Sequence, residues 1–230
     1  KKVVTIHNNP YEDYCYEYGS VIGKGMANLL RYRLPKFYKI VSISAFVKES
    51  LSYDLSNHLV IHNGVSLHKI DAISNSGTDV NISNRSSPFN IGIVSALIPR
   101  KNIFEAVDIV VELNTNGFSC SLDIVGEGEQ REELYNYITS HGANDYITLK
   151  GSLSYNETLK FISELDLFIF TSFSEGFGLV LVEAMMLKVP ILAKTSKISL
   201  EVLGDERLCF SSFNDFREKL ETITSNVTDI

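Results

Sequence analysis

The 230-residue sequence predicts an α/β protein made of doubly wound, parallel β-sheets. Three observations carry that expectation. Short apolar runs of strand length alternate with longer stretches of helical spacing along most of the chain. One strand run, LFIFT at 167–171, is apolar almost throughout rather than alternating, which is the pattern of a strand covered on both faces. The breaks between the runs are short clusters of Gly, Ser and Asn, the size that βα turns need.

Taken in order, residues 3–6 read as a buried strand ending at His7, with Asn8, Asn9 and Pro10 as a turn. Residues 11–18 are aromatic and acidic. Residues 20–34 have helical spacing, with Val21, Met26, Leu29 and Leu30 as the expected apolar anchors. A strand at 39–44, a short helix at 45–53 and a strand at 59–62 follow, closed by Asn63, Gly64 and Val65. Residues 69–88 are rich in Ser, Asn, Asp and Gly, show no apolar period, and read as a linker. A second βα series then begins. Its strands are expected at 90–95, 119–125, 146–149 and 167–171, and its helices at 101–113, 129–140, 154–165 and 179–187. A short strand at 207–210 and a helix at 214–224 end it.

The stretch that organises the rest is DLFIFTSFSEGFGLVLVEAMMLKVPILAK, residues 166–194. Ser172, Ser174, Gly176 and Gly178 turn the chain between strand and helix. The helix that follows is apolar on every side except at Glu183, so it is expected to be buried, and a carboxylate inside it requires a partner. Glu175 lies eight positions earlier, in the turn. The backbone N–H groups at 176–179 open the helix and make an anion site that two glycines would let a ligand approach. A phosphate cradle beside two hydroxyl-accepting carboxylates points to a nucleotide or a nucleotide sugar. The plainer reading is a structural carboxylate paired with a lysine, and glycines serving turn geometry alone.

SEGFGLVLVEAM, at 174–185, resembles the E-x7-E motif of the retaining glycosyltransferases of family 4, among the glycosyl transferases group 1. The match continues into Pro190, Ile191, Leu192 and Ala193. Further matches are His7-Asn8 after a strand, the VSIS strand end at 41–44, and VIHNGVS at 60–66, where Ser66 stands in place of the family's usual Asp. SALIPRKN, at 95–102, resembles the family's G-R-L-x-x-x-K-G/N: Lys101 matches the lysine, but Ala96 occupies the arginine position. The resemblance implies the GT-B architecture of two Rossmann-like domains. Residues 1–68 would be the remnant of an acceptor-side N-terminal domain lacking its start, 69–88 the linker, and 89–230 the donor-nucleotide domain.

It also implies roles. Glu175 would hydrogen-bond the donor-sugar hydroxyls, Lys101 would stabilise the diphosphate leaving group, and His7 would face the donor sugar across the cleft. Glu183 would accept both ribose hydroxyls. Phosphate would sit on the N–H groups of Gly178 and Leu179, in the turn with Gly176 and Phe177. Ser95 and Arg100 would flank Lys101, with Arg100 the candidate replacement for the missing arginine. Gly126, Ser152 and Leu153 would line the nucleobase pocket, largely through backbone groups. The implied reaction is transfer of a sugar from a UDP- or GDP-sugar to a glycan or lipid-linked acceptor in cell-surface polysaccharide biosynthesis, with retention at the anomeric carbon.

The bulk numbers narrow the alternatives. Net charge −7 and a pI near 5.3 argue against a nucleic-acid binder. Three widely spaced cysteines without C-x-x-C fit neither a zinc site nor a disulfide framework and suggest a reducing, cytoplasmic compartment. No apolar run approaches the ~20 residues of a membrane span. No D-x-D pair is present, so neither a catalytic metal nor a cofactor is expected, and the nucleotide sugar enters as substrate. Between residues 19 and 48 there are six basic side chains (Lys24, Arg31, Arg33, Lys36, Lys39 and Lys48) and no acidic one. Such a basic helix suits peripheral contact with the inner face of the plasma membrane or a phosphorylated lipid acceptor, while a solvated face is the plainer account. Two other functions compete. Ala96 favours a truncated or degenerate, non-catalytic nucleotide-sugar-binding module. A dinucleotide oxidoreductase is disfavoured, because Gly126-Glu127-Gly128 is followed by no third glycine.

Overall fold

The computed structural model describes residues 1–51, 56–74 and 88–225. The chain divides into two compact units, the first formed by Lys1–Gly64, Ser174–Leu179 and Lys197–Gly204, the second by Val65–Phe173, Val180–Ser196 and Asp205–Ile230.

The first unit contains β1 (Val3–Ile6), α1 (Pro10–Arg33), β2 (Lys39–Ser42), α2 (Ala45–Ser50) and β3 (His58–Val60). The strands form a parallel sheet in the order β1-β2-β3, with Val3 opposite Lys39 and Ile40 opposite His58. Asn9 starts α1 by accepting from the Tyr11 N–H at 3.1 Å, with Pro10 in the first turn, where its missing donor costs nothing. The helix takes in the aromatic residues 11–18 and breaks at Gly19 (φ 79°, ψ 163°), a backbone conformation open to glycine. The expected anchoring face is corrected here. Val21 is 87% exposed and Leu29 55%, and Met26 is exposed too, whereas the buried residues of α1 are Pro10, Gly23 and Ala27. Gly23 lets the segment after the break lie against the backbone of Tyr14 and Cys15, while Val21, Met26 and Leu29 stay outside and Leu30 is half-buried.

The second unit opens with α3 (Leu67–Ser74), where linker was expected; Ile70, with one of the few apolar side chains there, is fully buried. The remainder of that linker, 75–87, and the end of the helix expected at 45–53 lie outside the described residues. Then follow β4 (Phe89–Val94), α4 (Ile103–Thr115), β5 (Cys120–Val125), α5 (Arg131–Ser140), β6 (Ile147–Gly151), α6 (Tyr155–Ser163) and β7 (Leu167–Phe170). The chain continues through α7 (Leu179–Met186), β8 (Ile191–Lys194), α8 (Lys197–Leu203), β9 (Cys209–Phe210) and α9 (Phe213–Ser225). Helix α8, which belongs to the first unit, was not anticipated.

The six strands from β4 to β9 form one all-parallel sheet in the order β6-β5-β4-β7-β8-β9. Its core joins Ile91 and Ile93 of β4, Leu122 and Ile124 of β5, Leu167 and Ile169 of β7 and Leu192 of β8 to Val107 and Val110 of α4. All four residues of β7 are buried, as the unbroken apolar run predicts. Strand order reverses between β4 and β7, and such a switch point opens a crevice at the carboxyl ends of the strands. Two expectations need correction. Residues 99–101 form a separate 3-10 turn, and a left-handed Asn102 (φ 53°) divides it from α4, so Lys101 is not on the helix. Helix α7 is not buried all round: Leu181, Glu183 and Ala184 face inward, but Leu179 and Met185 are exposed. Among the described residues, no helix is long and apolar enough to cross a membrane.

Candidate functional site

In the second unit, the turns after β4 and β7 flank the switch point and are tied to each other through the backbone. The Arg100 carbonyl accepts from the Phe173 N–H at 2.9 Å and the Ser172 hydroxyl at 3.3 Å. The Lys101 carbonyl accepts from the Thr171 hydroxyl at 2.9 Å. These bonds fix the main chain that carries Arg100 and Lys101 to the end of β7. Beside them, the Ser95 N–H donates to Val125 (2.9 Å) and the Gly126 N–H to Gly151 (2.9 Å), which gathers Ser95, Gly126 and the start of the Ser152-Leu153 turn at the same sheet edge.

Glu183 is 8% exposed. Burial pushes its carboxyl above the usual carboxylate value, and a hydrogen bond from the Tyr155 hydroxyl works in the opposite direction. The group acting on Glu183 against burial is therefore a neutral phenol. A phenol leaves the carboxylate charge uncompensated and most of its lone pairs available, so this group can accept further hydrogen bonds from hydroxyls. Nothing in the spacing of the sequence marked Tyr155.

In the first unit, the turn at 174–179 meets the end of β1. A Cβ at Gly176 would run into the His7 carbonyl and the Asn8 side chain, so the close approach this glycine permits is that of the His7 backbone. The Gly176 carbonyl accepts from the Ser44 hydroxyl at 2.7 Å, and Ser174 donates to Glu12. Phe177 is buried and stacks on His62, ring centroids 5.3 Å apart. His7, Glu175, Gly176, Phe177, Gly178 and Leu179 thus belong to the first unit, and Ser95, Arg100, Lys101, Gly126, Ser152, Leu153 and Glu183 to the second.

Glu201 of α8 is a residue the sequence did not single out. Its two carboxylate oxygens accept from the N–H groups of Ala45 (2.7 Å) and Phe46 (2.9 Å) at the start of α2, and one of them also contacts His62 at 3.1 Å. With Val47 N–H on the Ser44 hydroxyl (3.1 Å), the opening donors of α2 are satisfied by side chains. The Ala45 partner lies 156 positions away, so no local pattern could reveal it.

Residues 77–226 match the family model described as glycosyl transferases group 1. The chain is similar to an uncharacterized glycosyltransferase of Methanocaldococcus jannaschii, with 27% identity over 71% of this chain and 42% of that protein. It is 25% identical to the O-antigen biosynthesis glycosyltransferase WclY of Escherichia coli over 93% of this chain and 59% of WclY. It therefore spans roughly half the length of these relatives. Among solved structures, S. aureus TarM, crystallised with Fondaparinux, alpha-GlcNAc-glycerol and UDP, superposes with a TM-score of 0.76 at 19% identity, over 99% of this chain and 44% of TarM. The parallel-sheet α/β fold is that of the GT-B glycosyltransferases. The match covers most of the second unit together with the 174–179 turn, and on that ground the chain belongs to the glycosyl transferases group 1 family.

Proposed function

We propose that the chain is the donor-binding part of a retaining, family 4 glycosyltransferase, moving a sugar from a UDP- or GDP-sugar to a glycan or lipid-linked acceptor in cell-surface polysaccharide biosynthesis. The observation that carries this reading is Glu183: a nine-tenths buried carboxylate on the helix that follows the switch-point strand β7. That arrangement suits a ribose diol. Glu175 serves the sugar hydroxyls, the opening N–H groups of α7 hold phosphate, and Lys101 with the helix dipole stabilises the leaving diphosphate without metal or cofactor. His7 serves the donor sugar. Departure of the diphosphate and attack by the acceptor on the same face of the sugar give retention. UDP in the TarM structure supports a uridine donor.

The exposed apolar stripe of α1, Val21, Ile22, Leu29 and Tyr32, lies on a helix that also carries Lys24, Arg31 and Arg33. It supports peripheral contact with an anionic membrane, for a protein we place in the cytoplasm. A second reading, a non-catalytic nucleotide-sugar-binding module, is favoured by Ala96, since loss of one preorganised cation slows transfer on the order of a hundredfold.

Calorimetric titration with UDP, GDP and ADP tests the site. One nucleotide binds, and Glu183→Ala weakens it about tenfold or more, because a charged hydrogen bond contributes roughly 1.5–3 kcal/mol. An unchanged dissociation constant would sink the assignment. Binding without turnover or donor hydrolysis would favour the second reading.

A further inference from the structure

Asn102 joins the 3-10 turn at 99–101 to α4 in a left-handed conformation (φ 53°, ψ 44°). Asparagine is one of the few residues besides glycine that enter this region readily. At a helix start its side chain ordinarily accepts from backbone N–H groups of the first turn, but here it makes no such bond. Its amide donates instead to one carboxylate oxygen of Glu105, at 2.5 Å. The other oxygen accepts from the ammonium of Lys194, the last residue of β8. The two charged side chains are only 24% and 21% exposed, so solvent screens this pair less than it would a surface one. Lys194 is fixed in turn: its Nζ donates to the Ser211 carbonyl at 3.3 Å and lies 5.5 Å from the centre of the Phe210 ring. A chain of contacts therefore runs from β8 and the end of β9, through Lys194 and Glu105, to the residue that follows Lys101.

We propose that Glu105 is a positioning residue for Lys101: through Asn102, and anchored by Lys194, it fixes the direction in which the lysine leaves its turn. The proposal rests on the reading that Lys101 serves the donor diphosphate. One side of the turn is held at β7, whose end donates to the Arg100 and Lys101 carbonyls. The other side is Asn102, whose N–H donates to the Pro99 carbonyl at 3.1 Å. A departure of Asn102 from the left-handed well breaks that geometry and swings the adjoining lysine, and the wells open to an L-residue elsewhere are broader. The Glu105 contact removes that freedom. Lys194 has a second effect. A lone carboxylate four positions from Lys101 would repel a diphosphate, and the ammonium offsets its charge.

The test is titration with the di- and monophosphates of uridine, guanosine and adenosine. The monophosphate lacks the second phosphoryl group, so the ratio of the two affinities reports on Lys101, whereas a general folding defect weakens both alike. Glu105→Ala is expected to bind the preferred diphosphate about three- to tenfold more weakly than wild type, and its monophosphate within about twofold. Glu105→Gln, which keeps an acceptor for the Asn102 amide, is expected to recover most of that loss. Lys194→Gln is expected to lower the same ratio about twofold or more, and it serves where Glu105→Ala does not fold. Asn102→Gly keeps the left-handed conformation accessible but removes the link, so adding Glu105→Ala to it is expected to cost nothing further. An unchanged ratio in Glu105→Ala or Lys194→Gln, no recovery with glutamine, or the same loss with and without the Asn102 side chain overturns the proposal alone. If no nucleotide binds, or Lys101→Ala leaves the ratio unchanged, the reading of Lys101 falls and the proposal with it.

Discussion

Replacing Glu201 by alanine is predicted to destabilise the first unit by about 2 kcal/mol, although Glu201 lies outside every motif in the sequence. The magnitude follows from what the carboxylate holds. It accepts from two helix-opening N–H groups at 2.7 and 2.9 Å, and its side chain is only 17% exposed. Loss of a capping side chain costs about 0.5–2 kcal/mol, and loss of a negative charge at a helix start a further 0.3–1. The Ala45 N–H is near the surface and regains water, which keeps the sum well below that of two buried charged bonds; the Phe46 N–H is partly buried and recovers less. The contact with His62 adds little, because that ring is 55% exposed. Glu201→Gln keeps one acceptor oxygen and is expected to cost about half as much. Since the chain has no tryptophan, urea unfolding is followed by far-UV circular dichroism and tyrosine fluorescence. With a slope near 2 kcal/mol/M, the alanine variant moves the midpoint down by about 1 M. Amide exchange localises the effect, accelerating at residues 45–51 and leaving the core strands of the second unit unchanged. A midpoint within about 0.2 M of wild type, or equal losses for alanine and glutamine, would refute the capping argument.

Two further outcomes are expected. Gly176→Ala forces a methyl group onto the His7 carbonyl and costs about 1–3 kcal/mol, because backbone has to move; the same urea assay checks it, and a neutral result would show that the 174–179 turn is not seated on β1 as described. Sedimentation with phosphatidylglycerol vesicles at low salt is expected to carry the chain down, and Lys24→Glu with Arg33→Glu to weaken this about tenfold or more, at roughly 1 kcal/mol per basic residue. Equal sedimentation of wild type and variant would remove the membrane contact.

The strands were legible because their signal is local. A parallel strand covered on both faces is apolar throughout, as β7 is, and β4 and β5, despite one or two polar residues each, also declare themselves within a few residues of their observed limits. Helix faces were less legible. In α1 the sequence offers Val21, Met26 and Leu29 as the apolar side, yet the helix is buried at Gly23 and Ala27, since close approach selects small residues that carry no hydrophobic signal. Helix α3 escaped notice because it is short and runs into the Ser-, Asn- and Gly-rich stretch that read as linker, although Ile70 is buried.

The sequence by itself determined the α/β class, the alternation of strands and helices, and the motif holding Glu175 and Glu183, all of which are written in contiguous residues. Only the tertiary structure decided the partners: Glu201 on Ala45 and Phe46, and the His7 carbonyl against Gly176. The reason is physical. A strand or a turn satisfies its pattern among near neighbours, whereas a buried carboxylate or an open helix end takes whichever donor or acceptor the folded chain delivers, and chain separation leaves no trace of that choice in the order of residues.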